Sequence, residues 1–192
     1  MGGVNPVHLG IDSATRFLAL ALWSPERGLL AEYREDVGRD HAARIVLEIE
    51  RLFARARIEP AAVTGVGVGV GPGSYTGVRV GIATAQGLAR AWGVPLGGAS
   101  TLAALALAGL LPGASGIAAL DARRGNVYAA RYRRPDDPAD LRLETLHPAE
   151  KLARSSLVER LGADTVIEGC GPDAALTAFM ALSGEPAEAI YL

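Results

Sequence analysis

The first third of the chain is a series of short apolar runs separated by polar turns. Residues 7–12 (VHLGID) alternate and end on an acid, which reads as a strand. Residues 17–23 and 29–36 are predicted as second and third strands, joined by the turns 13–16 and SPERG. The period then changes from two to 3.6. Ala42, Ile45, Val46, Ile49, Leu52, Phe53 and Ala56 recur at helical spacing, with Glu48, Glu50, Arg51 and Arg55 between them. Asp40 stands where an N-cap belongs, and Pro60 follows the stop. A glycine-interleaved apolar strand over 63–70 leads through GPGSYTG into a helix over 76–92. A short strand follows from Pro95, and Ser100 is placed to cap a helix of Leu and Ala.

The same order then returns. Residues 116–121 form an apolar strand ending in an acid, ARRGN turns the chain, and 127–132 alternate again. A third strand is expected over 141–146, a helix from about Pro148, a strand over 165–168, and a helix over 174–182 after GCGPD. LGIDSATRFLALALW lines up with AALDARRGNVYAARY, and VGVGPGS with IEGCGPD. The pattern predicts an α/β chain built by internal duplication of a βββαβα unit, with the second copy shorter. A first lobe over 1–112 and a reduced second lobe over 113–192 are expected.

Composition narrows the function classes. The 192 residues carry 19 basic and 21 acidic side chains, a net charge of -2, so bulk electrostatics gives no drive toward nucleic acid. Cys170 is the only cysteine, which excludes an internal disulfide and a four-thiolate zinc site; a strand-end packing role is expected for it. Neither a leader pattern nor an uninterrupted membrane-length apolar run is visible, so a cytoplasmic protein without membrane contact is expected. Between Glu59 and Asp121 the only charges are Arg79 and Arg90. A stretch so uncharged is deep core or a covered surface.

Several motifs bear on chemistry. Asp12-Ser13-Ala14-Thr15 leaves a strand in a turn, and Asp121 mirrors Asp12 in the second copy. In duplicated folds of the actin, hexokinase and Hsp70 kind such an acid positions a hydrated metal, and neighbouring hydroxyls bind phosphate. The plainer alternative is an Asp bonding its own backbone. The glycine turn is no P-loop, because no Lys-Ser or Lys-Thr follows it, and it fails GxGxxG at both registers. It reads as a tight turn bringing a helix start close to a sheet. Gly77, Gly81 and Ala85 make a small-residue stripe on the following helix, which is apolar on every side. A protein–protein contact is favoured there over a fully internal helix. His8, His41 and His147 form no pair at helical spacing, and no Gly-x-Ser-x-Gly elbow exists.

GPGSYTGVRVGIATAQGLA resembles the signature of the TsaB/YeaZ family, GPGSFTGxRxGxxxAxGLA. LGIDSAT, RDHAARI, STLAALA, LDARRGNVYAARY and the ending PAEAIYL match family motifs in the same order. The resemblance is strongest over 7–132. It implies a duplicated actin-like (ASKHA) fold and an accessory subunit of the machinery that places threonylcarbamoyl on N6 of the adenosine beside the anticodon of ANN-reading tRNAs. In that family the catalytic paralogue TsaD carries the metal site, and the ATPase subunit TsaE assists. The resemblance further implies pairing with TsaD and self-pairing when alone, with tRNA met only through the complex. The implied interface is Thr76, Gly77, Val78, Gly81, Ile82, Ala85, Leu88 and Ala89, beside Ile45 and Ile49 of the preceding helix. No catalytic residue, cofactor or metal of its own is expected. Asp12, Ser13, Thr15 and Asp121 remain as a degenerate phosphate site. The rival is an active ASKHA-type ATPase or phosphotransferase using Asp12 and Asp121, against which the second copy lacks a clear Gly-Gly adenosine motif. A peptidase is disfavoured by the missing histidine pair.

Overall fold

The computed structural model describes residues 6–137, 140–162 and 165–168. Strands β1 (Val7–Asp12), β2 (Phe17–Ser24) and β3 (Gly28–Asp36) are followed by helix α1 (His41–Ala56). Then come β4 (Val63–Gly69), α2 (Tyr75–Trp92), β5 (Leu96–Ala99) and α3 (Thr101–Gly109). The second half holds β6 (Ser115–Asp121), β7 (Asn126–Arg133), β8 (Glu144–Ala153), α4 (Leu157–Leu161) and β9 (Val166–Glu168).

The first sheet runs β3-β2-β1-β4-β5 and the second β8-β7-β6-β9. In each, three antiparallel strands lead to a parallel partner of the first: β1 with β4, β6 with β9. The repeated order is a duplicated unit, with five strands in the first sheet and four among the described residues of the second.

Register explains the first lobe's burial. Leu9 pairs with Leu22 and Val66, and Ile11 with Leu20 and Val68, so one face of the sheet is continuously aliphatic. Ile45, Ile49, Leu52 and Phe53 of α1 close over it with Ala85 and Ala89 of α2. The opposite face carries Gly10, Ala19, Ala21, Gly67 and Gly97. Helix α2 is capped by Ser74, whose Oγ accepts the Gly77 amide, and ends at Gly93 with φ 67°. Asp40 occupies the N-cap of α1, but its side chain makes no capping bond.

The expected helix near Pro148 is corrected: the backbone there is strand, and β8 continues to Ala153. β8 is the edge of its sheet, and the register to β7 shifts between Ala129 and Arg131, so a proline without an N–H is tolerated. A 3-10 turn (Arg154–Ser156) and the five-residue α4 follow, packing Leu157 and Leu161 on Ile117, Ala119 and Val127. Helix α3 crosses to the second sheet, where Leu102, Leu105 and Ala106 pack with Ala118, Leu120 and Tyr132. Part of the uncharged stretch is therefore core between elements of both halves. Cys170 and the expected 174–182 helix lie outside the described residues.

Candidate functional site at the lobe junction and the outer helix face

The β1–β2 turn is closed by residues far away in sequence. Asp12 Oδ1 accepts the Ala14 amide at 2.9 Å, and Oδ2 accepts the Thr101 hydroxyl at 2.9 Å from the start of α3. Ser13 Oγ donates to the Gly77 carbonyl at 2.8 Å, and the Ser74 amide donates to the Ala14 carbonyl at 2.6 Å. Glycines permit this. A Cβ on Gly69 would overlap the Asp12 carboxylate, one on Gly73 the Ala14 carbonyl, and one on Gly77 the Ser13 carbonyl. Asp12 is 0% and Ser13 1% exposed. Burial pushes the Asp12 carboxyl up to about 6, against the pull of its two hydrogen bonds.

Of the expected phosphate-site residues, Asp12 and Ser13 are buried and committed to these contacts. Thr15 lies half-buried on the cleft wall, its hydroxyl accepting the Phe17 amide at 3.1 Å. Asp121 is exposed in the cleft, and its Oδ1 accepts the Arg123 amide at 3.1 Å. Asp12 with Ala14 and Asp121 with Arg123 make the same two-residue turn, so the mirrored acids share a local structure while differing in burial.

The cleft between the halves has a volume of about 860 Å³. The β1–β2 turn, the loop before α1 and the start of α2 form one wall; Leu120 to Arg123 and Tyr128 form the other. Arg16, Arg39 and Arg123 line it, and sequence reasoning singled out none of them. Two follow the mirrored acids by a few residues, which was the available signal. Among the described residues no group of three His, Cys, Asp or Glu could hold a metal ion.

The small-residue stripe on α2 faces its own lobe. Gly77 and Gly81 meet Ser13, and Gly77, Val78, Gly81, Ala85 and Ala89 are all buried by their own lobe. Ile45 and Ile49 of α1 are buried beside them. A helix with little bulk was needed to let α2 approach the β1–β2 turn. A charge at Ala85, which is 0% exposed, would break the lobe before it reached any partner. Thr76 is exposed at the cleft, and Ile82 and Leu88 are half-buried.

The outer face differs. Between α1 and α2 runs an apolar groove of about 680 Å³, lined by Val46, Phe53, Ala54, Ile58, Leu88 and Trp92 among others. Val46 is 57% exposed, and Phe53 meets Trp92 edge-on at 5.8 Å. Glu48 lies under the neighbouring flank, 1% exposed, held by Arg44 at 3.0 Å and Arg51 at 2.8 Å. No described helix is long and apolar enough to cross a membrane.

Comparison with known proteins places these features. Residues 33–156 match the family described as TsaD, tRNA N6-adenosine threonylcarbamoyltransferase. The chain is 38% identical over 131 residues to the tRNA threonylcarbamoyladenosine biosynthesis protein TsaB of Escherichia coli, covering 67% of this chain and 56% of that protein. The chain spans about half the length of the curated relatives it matches. Its structure superposes on YeaZ from Pseudomonas aeruginosa with a TM-score of 0.80 at 26% identity, covering 97% of this chain and 100% of that one. A second Pseudomonas aeruginosa structure, described as similar to peptidase YEAZ, matches with a TM-score of 0.77 at 24% identity, covering 97% and 99%. That second likeness shows the fold alone.

Proposed function

The chain belongs to the TsaB/YeaZ family, and on that premise we propose that it is a non-catalytic accessory subunit of the complex that makes N6-threonylcarbamoyladenosine in ANN-reading tRNAs. The observation that carries the reading is the sealed β1–β2 turn. An actin-like phosphotransferase needs the first-strand acid within reach of a metal-bound phosphate, and here Asp12 is 0% exposed and committed to Ala14 and Thr101. The rival ATPase loses its metal anchor.

The partner surface we assign is the outer α1–α2 face, with Val46, Phe53, Leu88 and Trp92 at its centre. This moves the interface from the inward stripe to the outward rows of the same two helices. A stable interface buries roughly 1,600 Å² in total, a size that two helices of 16 and 18 residues can largely supply. One apolar face cannot be covered twice, so self-association of the isolated chain competes with binding of the catalytic paralogue TsaD. TsaE joins that assembly, tRNA is met within it, and the site of action is the cytoplasm.

The test is Val46→Glu. Val46 is more than half exposed, so the variant keeps its melting temperature within a few degrees. It is expected to run as a monomer by light scattering and to lose co-purification with TsaD and support of tRNA modification. A folded variant that still pairs with TsaD at wild-type affinity places the interface elsewhere. Asp12-dependent ATP hydrolysis by the purified chain would overturn the accessory role itself.

A further inference from the structure

We propose that the cleft between the lobes is a metal-free seat for the phosphodiester backbone of RNA, gripped by Arg16, Arg39 and Arg123. The inference rests on the accessory-subunit reading above and adds the surface through which this chain touches the nucleic acid. Three arginines, Arg16, Arg39 and Arg123, line one cavity of about 860 Å³, where Asp121 is the acidic lining residue. That carboxylate accepts the Arg123 backbone amide at 3.1 Å. Among the described residues Arg39 and Arg123 have no ion-pair partner, whereas the arginines of the outer α1 flank are tied to Glu48. Arg16 pairs with Asp36 at 2.6 Å but remains 70% exposed.

Such a concentration of cationic side chains is unexpected in a chain of net charge -2. A local positive cavity on a mildly acidic protein attracts an anion to one place without binding polyanions everywhere. Both α1 and α2 begin at the cleft; α2 has no acidic residue in its first turn, whereas α1 starts from Asp40 at its N-cap.

The chemistry of the walls selects among anions. A nucleoside triphosphate brings a dense charge that actin-like clefts neutralise with a metal held by the first-strand acid. Asp12 is buried away from the cleft, so that partner is missing. An RNA backbone carries one charge per phosphate, spaced along the strand, and guanidinium groups pair with it directly and without metal. The mouth also offers a stacking surface of the sort that unpaired bases use. Tyr75 is 61% exposed, with the Arg79 guanidinium 5.1 Å from its ring centre.

The experiment titrates the 192-residue chain into a fluorescently labelled, unmodified tRNA transcript with an ANN anticodon, following anisotropy from low to physiological salt. The Arg39→Ala/Arg123→Ala double variant is expected to bind about tenfold or more weakly and to reduce the salt slope by roughly 1.4, or 0.7 per lost phosphate contact on a single strand. Both side chains are exposed, so the fold should persist. Arg55→Ala, an exposed change on α1 away from the cleft, should leave affinity and slope unchanged, as should EDTA. The proposal is overturned if the wild type shows no binding, or if the double variant binds with wild-type affinity and slope. Displacement of the RNA by ATP with dependence on Mg²⁺ overturns it in favour of a nucleotide site. Assembly with TsaD, scored separately, distinguishes the two readings. Intact assembly with cleft-independent RNA binding sinks only the cleft, and cleft-dependent RNA binding without assembly sinks only the accessory role.

Discussion

Replacing Asp12 by Asn should make the protein more stable at neutral pH and slightly less stable in acid. The Asp12 carboxyl holds its proton up to about 6 in the folded state, because burial penalises the charged form, and an ordinary value is 3.8. The folded pKa is raised, so between roughly pH 4 and pH 6 the folded state binds more protons than the unfolded one. Stability then falls as pH rises through that window and the cost is complete above it. The separation of about two pH units corresponds to roughly 3 kcal/mol at 1.36 kcal/mol per unit. Asn cannot ionise and removes this cost. Its Oδ1 still accepts the Ala14 amide, and its amide group must donate to the Thr101 hydroxyl, reversing that bond at a cost of about 1 kcal/mol. Urea unfolding of both proteins from pH 4 to pH 8 is the assay, because every other carboxylate cancels in the difference. The variant's advantage should grow by about 3 kcal/mol across the series. A difference that stays flat with pH would refute the buried, ionising role assigned to Asp12.

Other substitutions probe the same construction. Asp12→Ala should cost about 1–3 kcal/mol in chemical denaturation at pH 4, where the wild-type carboxyl is protonated and only the lost acceptor for the Thr101 hydroxyl and Ala14 amide counts. Gly77→Ala should lower stability by roughly 1–3 kcal/mol, because its Cβ meets the Ser13 carbonyl, a backbone group that cannot turn aside; an unchanged melting temperature would show that α2 is not pressed against the turn. Glu48→Gln should cost about 1–3 kcal/mol in thermal melts by weakening charge-assisted bonds to Arg44 and Arg51, and added salt should narrow the gap to wild type.

The sequence by itself determined the order of elements, the duplication and the family, because these reside in local patterns. Alternation, helical spacing and the Ser100 cap are short-range signals, and in the first half of the chain the structure keeps the elements within a residue or two. Pro148 was misread because its meaning depends on a neighbour: a proline that starts a helix and one that sits on a sheet edge look alike until β7 is placed beside it. The same limit governs the site. Asp12 and Thr101 are 89 positions apart, and Ser13 and Gly77 are 64 apart. No periodicity reveals that these pairs meet and seal the turn. Small residues at four-residue spacing state only that something comes close; whether it is a partner helix or the protein's own backbone depends on which way α2 faces. Packing α2 against β1 sends the glycines inward, leaves Val46 and Leu88 on the outer face, and gathers arginines from the β1–β2 turn, the loop before α1 and the β6–β7 turn into one cleft. Side-chain type is written in the chain, but convergence of distant charges and the dry or wet side of a helix arise only when the sheets close.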